Sequence, residues 1–377
     1  MVPDRDVLQK TDLRTNSLDP LALTERIADW LVDIIGPDDT DGPVTISDLQ
    51  TPEAGGMSSV TLLFTASWPS SGVDYSERLV ARLPPDESSY PVFPHYDLGL
   101  QMAVMRAVAG HSQVPVPAVV AVDPTGDRVG VPCGLMRAVE GRAPTDNPPY
   151  VFGGWLYDAS PEDRRALQDA TVAVIAGVHG VPPETFPQLA VSGDPLRAHV
   201  DEQRAYYEWT RASDGVRIPV LERAFDWLEA RWPQDPGPSA FSWGDSRPGN
   251  ILFDGVTPAA VLDWEMAGIA PREVDLGWVV FIHRFFQDIA EVFELPGLPD
   301  FCRPADVVAT YEELTGHTVR DLDWYVVYAA LRHGIVMSQI KRRMAHFGEE
   351  QLPEDPDDYV MHRAALERLM DGTYAWD

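Results

Sequence analysis

Two short apolar runs, Ile251–Phe253 and Ala259–Leu262, flank Asp254-Gly255, and a pair of β-type runs around that dipeptide closes as a hairpin. Such a hairpin brings Asn250, just before the first run, back beside Asp263, just after the second. Asp245 stands five positions before Asn250, with Gly244 ahead of it and Pro248-Gly249 between, so Phe241–Glu265 reads FSWGDSRPGNILFDGVTPAAVLDWE. An Asp followed by an Asn at that spacing is weak alone, since chance supplies about one in a chain this long. The combination with the hairpin and the closing Asp-Trp-Glu is what constrains the fold.

Two carboxylates and an amide in this order suit phosphoryl transfer, which needs alignment and charge control more than covalent help. One carboxylate can accept the proton of an attacking hydroxyl. An amide oxygen and a second carboxylate are hard ligands of the kind Mg²⁺ prefers. In these roles Asp245 is the acid beside the hydroxyl, and Asn250 and Asp263 are the metal ligands.

The stretch resembles the signature of the aminoglycoside phosphotransferase and choline kinase-like family, relatives of the protein kinases, in which His-Gly-Asp, four residues and Asn precede an Asp-Trp-Glu-like strand end. The resemblance covers roughly residues 50 to 290. It implies an α+β, two-lobed protein-kinase-like fold, with a small β-rich nucleotide lobe over residues 1–139 and a larger, mainly helical lobe over 140–377. It further implies ATP and Mg²⁺ as cofactors, Asp245 as catalytic base, Asn250 and Asp263 as metal ligands, and Asp275 as a buried acid opening the next helix. Trp243 stands where the family has His, which puts the bracing of the metal-binding strand in question. Arg247, inside the loop, either steadies the transferring phosphate or ties a nearby acid.

The earlier part of the chain fits a β-rich lobe. Asp19 to Gly36 has the spacing of a helix capped by Asp19, with Leu23, Ile27, Leu31 and Ile34 on one face. Val44–Leu49, Val60–Trp68 and Arg78–Leu83 follow as strands. Gly55-Gly56-Met57-Ser58-Ser59 precedes the second of them, where either an ordinary Gly turn or a phosphate-binding loop fits; the resemblance favours the latter and assigns Gly56, Ser58 and Ser59 to the nucleotide.

The chain has only two lysines, Lys10 and Lys341, neither near the β-lobe; at the position where the resembled family carries its strand cation stands Arg82, which either is an ordinary surface strand arginine or, as the resemblance to the branch with Arg there implies, meets the phosphates. The helix from Asp97 to Gly110 has no Glu to pair with it. Gln101 takes that place, and a neutral amide can orient a guanidinium without neutralising it. The segment Arg137, Ala138 and Val139 reads as an edge strand passing between domains or, as the resemblance implies, as the connector whose backbone receives adenine.

From Arg142 onward the pattern is helical. Helices are expected from Ser160 to Gly180, Pro195 to Ser213 and Ile218 to Trp232, after Asp275, and from near Pro304, Leu322 and Pro356, the last capped by Asp355. His179 reads as a packed or capping histidine outside any polar cluster, and Lys341-Arg342-Arg343 as a solvated helix face.

The formal net charge of -30 argues against nucleic acid and anionic membranes as partners and is compatible with a cationic, polyamine-like or aminoglycoside substrate without singling one out; the hydroxylated small-molecule substrate is what the resemblance implies. Asp201, Glu202, Glu265, Glu273, Asp288 and Glu291 are the acids available to recognise it. Two distant cysteines, Cys133 and Cys302, with no apolar leader in MVPDRDVLQK, lead to the expectation of a cytoplasmic protein. Two other activities compete with transfer: nucleotide binding without transfer, and hydrolysis by a carboxylate pair, which needs neither the Asn nor the nucleotide loop.

Overall fold

The computed structural model describes residues 20–50, 59–85 and 87–376. The chain forms two compact units, one running up to Arg106 and resuming over Pro117–Val139, the other comprising Ala107–Val116 and Glu140–Asp377. Residues 107–116 thus group with the second unit, unlike in a simple division after residue 139. The reason is local pairing, since Val261 N–H donates to Pro115 O at 2.8 Å.

In the first unit, helix α1 (Pro20–Ile35) is followed by β1 (Thr45–Gln50), β2 (Val60–Ser70), β3 (Val73–Leu83), α2 (Leu98–His111, of which the part up to Arg106 groups with this unit), β4 (Val119–Asp123) and β5 (Cys133–Arg137). The strands form one antiparallel sheet in the order β1-β2-β3-β5-β4. The third strand begins five residues earlier than its apolar pattern suggests. A two-residue turn at Ser71-Gly72, both at positive φ, pairs all of β2 with all of β3.

Alternation sorts the side chains. Leu62, Phe64, Ala66, Leu79, Ala81, Leu83, Cys133 and Leu135 lie in one core with Leu23, Ile27, Trp30 and Leu31 of α1. Ile34, expected on that face, is exposed. On the opposite face α2 presses against Gly134, where an added Cβ would lie 2.6 Å from Met102 Cε.

The second unit contains α3 (Pro161–His179), α4 (Pro195–Thr210), α5 (Pro219–Ala230), α6 (Glu273–Val292), α7 (Pro304–Thr315), α8 (Leu322–His346) and α9 (Arg363–Asp371). Two small sheets accompany them: β6 (Ser239–Ser242) with β9 (Gly268–Pro271), and β7 (Ile251–Asp254) with β8 (Thr257–Val261). Helix α3 starts where its signal predicts, with Ser160 Oγ accepting from Asp163 N–H at 3.0 Å. Helix α6 is buried around nearly its whole circumference and packs along α8. No helix among the described residues is long and apolar enough to cross a membrane.

Two readings are corrected. Asp355 caps only a 3₁₀ turn at Pro356–Tyr359, and the last α-helix starts at Arg363. The basic cluster on α8 is not a solvated face, because Arg342 and Arg343 are 3% and 4% exposed. Arg342 donates to Asp214 at 2.8 and 3.2 Å, a partner 128 residues away that no local pattern announces.

Candidate active site

The hairpin β7–β8 closes one residue later than the Asp254-Gly255 signal places it, over Gly255-Val256 with Gly255 at φ 61° and Asp254 paired to Thr257, and Leu262 N–H donates to Asn250 O at 2.8 Å. Asn250 is thereby set beside the residue preceding Asp263. Its side-chain Nδ2 donates to Asp245 O at 3.0 Å and Asp245 Oδ2 at 2.7 Å, so the carbonyl oxygen is the atom of this side chain that could ligate a cation. Asp263 holds a left-handed backbone at φ 59°, a strained state for a residue with a side chain. An amide oxygen and a carboxylate brought together in this way fit the hard-ligand set that Mg²⁺ requires.

Asp245 is held from three sides. Arg247 Nε lies 3.0 and 3.1 Å from its two oxygens, Asn250 takes Oδ2, and Trp278 Nε1 donates to Oδ1 at 2.6 Å. Arg247 also reaches Asp146 through Nη1. Burial works against the arginine's charge, and the carboxylates of Asp245 and Asp146 more than offset it. Between the two readings of Arg247, the observed contacts are those of a tie between acids. Gly249 makes this possible, since a Cβ there would stand 2.7 Å from Arg247 Nη1.

Beneath the loop lies a buried acid. Asp275, in the first turn of α6, accepts from Ser242 Oγ at 3.0 Å and Gly244 N–H at 2.8 Å on Oδ1, and from Trp243 N–H at 2.8 Å and His179 Nε2 at 2.9 Å on Oδ2. Burial pushes its carboxyl up, but His179 and the amides of Gly244 and Trp243 pull further, and the net effect is downward. His179, whose Nδ1 meets Tyr311 OH at 2.7 Å, therefore does belong to a polar cluster. Gly244 is required here, because at φ 88° a Cβ would overlap the Met266 carbonyl oxygen.

The bracing thrown in doubt by Trp243 is supplied by Trp243 itself. Its indole N–H donates to Leu262 O at 2.9 Å and Asp263 O at 3.2 Å, tying the end of β8 to the loop that carries Asp245. Trp243→Phe keeps the ring and removes that donor. It is expected to cost about 1–2 kcal/mol of stability and to raise the Mg²⁺ concentration needed for half-maximal activity severalfold. A magnesium titration of initial rates checks this, and an unchanged requirement removes the bracing role.

In the first unit, Arg82 lies on the α2 face of β3, in register opposite Gly134, and Gln101 is buried on α2 beside Met102. The buried Ser59 hydroxyl has no hydrogen-bond partner among the described residues. Gly56 and Ser58 lie outside the described residues. The Arg137 side chain points to the α1 face and pairs with Glu77. The Arg137 and Ala138 amides are engaged by Ala118 O and Arg78 O at 2.9 Å each, and Val139 follows them.

Among the acids considered for substrate, three are engaged structurally. Glu273 is buried against His317 Nε2 at 2.9 Å, Asp288 binds Arg284 and Tyr374 OH, and Glu291 binds Arg284. Asp201 and Glu202 are exposed on α4, and Glu265 is half-buried.

Sequence reasoning missed Trp278, Asp146 and Arg332, whose Nη2 donates to Gly244 O at 3.0 Å. Trp278 had a usable signal, lying one helical turn after Asp275 and so on the face already turned to the loop. The other two had none.

The chemistry this arrangement offers is the alignment of a hydroxyl and the ligation of a cation by oxygen, in a protein whose other unit is a five-stranded antiparallel sheet backed by a helix. That combination defines the kinase-like phosphotransferases. Residues 70–300 match the phosphotransferase enzyme family, more than half of the chain, and the protein belongs to that family.

Solved structures repeat the fold. A Ralstonia eutropha protein provisionally assigned as an aminoglycoside phosphotransferase superposes with a TM-score of 0.64 at 20% identity, covering 93% of this chain and 97% of that one. A thermostable mutant of aminoglycoside phosphotransferase APH(4)-Ia, in ternary complex with ADP and hygromycin B, gives 0.56 at 15% identity over 93% and 99%. The GDP and kanamycin complex of APH(2")-IIia gives 0.55 at 14% over 92% and 99%. Among curated proteins, Arabidopsis thaliana IBR3, named for acyl-CoA dehydrogenase activity, is 23% identical over 259 residues, 64% of this chain. The chain spans about a third of the length of that relative, 31%.

Proposed function

We propose that the protein transfers the terminal phosphoryl group of ATP to a hydroxyl of a small molecule, with Asp245 as the base. The observation that carries this reading is the 2.7 Å hydrogen bond from Asn250 Nδ2 to Asp245 Oδ2, which couples the base to the ligand set in one rigid loop. Asn250 and Asp263 would hold Mg²⁺, which when bound neutralises charge on the phosphate oxygens. Asp245 accepts the hydrogen bond of the acceptor hydroxyl and takes its proton as the oxygen attacks phosphorus. Arg247, tied to Asp245 and Asp146, keeps the carboxylate in place and is available to the transferring phosphate.

In the first unit, Arg82 would meet phosphate oxygens bidentately and Gln101 would orient it. Gly56, Ser58 and Ser59 would complete the phosphate loop. With the amides of Arg137 and Ala138 engaged in the sheet, the adenine-binding donor falls to Val139. For the acceptor, the charge of -30 favours a cationic hydroxylated compound, and solved relatives carry hygromycin B and kanamycin. Asp201 and Glu202, exposed on α4, are the acids offered to meet it. One observation favours nucleotide binding without transfer, namely Gln101 in the place of a carboxylate.

A ligand that binds only the folded state raises its stability by RT ln(1 + [L]/Kd), about 2.7 kcal/mol at a hundredfold excess over Kd. ATP with Mg²⁺ is therefore expected to raise the melting temperature by several degrees, and more than ATP alone. No shift under any metal condition would sink both nucleotide readings.

A further inference from the structure

Arg332 on α8 lies beneath the catalytic loop at 1% exposure, an unusual place for a cation. Its guanidinium carbon stands 4.4 Å from the centre of the Trp278 ring and 5.9 Å from that of Tyr328. Nη2 donates to Gly244 O at 3.0 Å, whereas Nε and Nη1 have no hydrogen-bond partner among the described residues. Burial lowers its pKa, and Tyr328, Asp275 and Asp245 oppose that through space. A charge kept there against its desolvation cost, and balanced largely by two π faces, calls for a role that an apolar residue could not fill.

We infer that Arg332 is a positioning residue for phosphoryl transfer, acting on Asp245 through both the Gly244 carbonyl and the Trp278 indole. The first contact holds the main chain one residue ahead of the base. The second works through the ring, because a cation over the indole face draws electron density inward and strengthens the N–H donor at its edge. That donor meets Asp245 Oδ1 at 2.6 Å while Asn250 holds Oδ2 at 2.7 Å, so the plane of the carboxylate is set from both ends. With the plane set, one lone pair is directed at the incoming hydroxyl, and misalignment is expensive in rate. The inference rests on Asp245 being the base of the proposed reaction.

The experiment compares Trp278→Phe, Arg332→Met, Arg332→Lys and the Trp278→Phe/Arg332→Met double variant. Each of Trp278→Phe and Arg332→Met is expected to lower kcat about 10- to 50-fold, with KM for ATP changed by less than about threefold. The double variant should be slower than Trp278→Phe only by the severalfold that the Gly244 contact supplies, well short of the product of the two single losses, and Arg332→Lys should recover severalfold over Arg332→Met. Losses that multiply in the double variant, or that fall on KM, overturn the inference, because the two residues then act separately or merely structurally.

A second readout does not depend on turnover. The Trp278 indole N–H resonance, identified by its disappearance in Trp278→Phe, should move upfield in both Arg332→Met and Asp245→Asn. If Arg332→Met does not fold, Arg332→Gln, which keeps a donor toward Gly244 O but removes the cation, reads the same resonance. An unmoved signal overturns the inference, whereas a moved signal in a protein that transfers no phosphate keeps the couple and rejects the proposed function.

Discussion

Asp245→Asn is expected to lower turnover with a phosphate acceptor at least about a hundredfold, the loss of a general base, while the stabilisation by ATP and Mg²⁺ persists. An amide is nearly the same size and can still accept from Trp278 through its oxygen. Its nitrogen, however, must then face Asn250 Nδ2, which lies 2.7 Å from Asp245 Oδ2, and two donors repel where a bond was made. Arg247 keeps Asp146 as its counter-charge, so the loop is disturbed locally and not dismantled. The measurement is a coupled assay of ADP release over hydroxylated compounds and antibiotics, run on both proteins. Equal rates would remove Asp245 from the mechanism.

The second large effect concerns stability. Each oxygen of Asp275 accepts one backbone amide and one side-chain donor, so Asp275→Asn sets its NH₂ against a backbone N–H whichever way it turns. Breaking a buried, fully bonded charge in this way costs about 3–5 kcal/mol, or on the order of 10 °C in melting temperature for a domain of this size. The sign with pH follows from the direction of the shift. A carboxyl whose folded pKa lies below its ordinary 3.8 contributes stability that is fully present above 3.8 and is lost as pH falls through the folded value. The gap between wild type and variant should therefore stay constant from pH 7 to about 5 and narrow below about 4. Melting temperatures across that range test this, and a gap that widens on acidification contradicts it.

The candidate site was partly legible because its centre is local. Asn250 is bonded to Leu262, the neighbour of Asp263, across a hairpin that Gly255 turns, and Asp245 is five residues away on the same loop. The meaning of Trp243 was not legible. Read as a missing histidine it predicts lost bracing, yet its indole reaches Leu262 O and Asp263 O and restores the tie by another donor. His179 likewise looked isolated because its partners, Asp275 and Tyr311, lie 96 and 132 residues away.

By itself, then, the sequence determined the helices and strands, the hairpin, the order of acid, amide and acid, and the family, since periodicity, turn chemistry and caps act over a few residues. Tertiary structure alone decided what surrounds Asp245. Trp278 comes to Asp245 across 33 residues and Arg332 to Gly244 across 88, by the packing of α6 on α8. The same packing turned Arg342 and Arg343 inward, where composition placed them in water. Which charges are buried, and against what, depends on how helices cross, and that is set by the whole apolar surface of the unit and not by any short stretch of the chain.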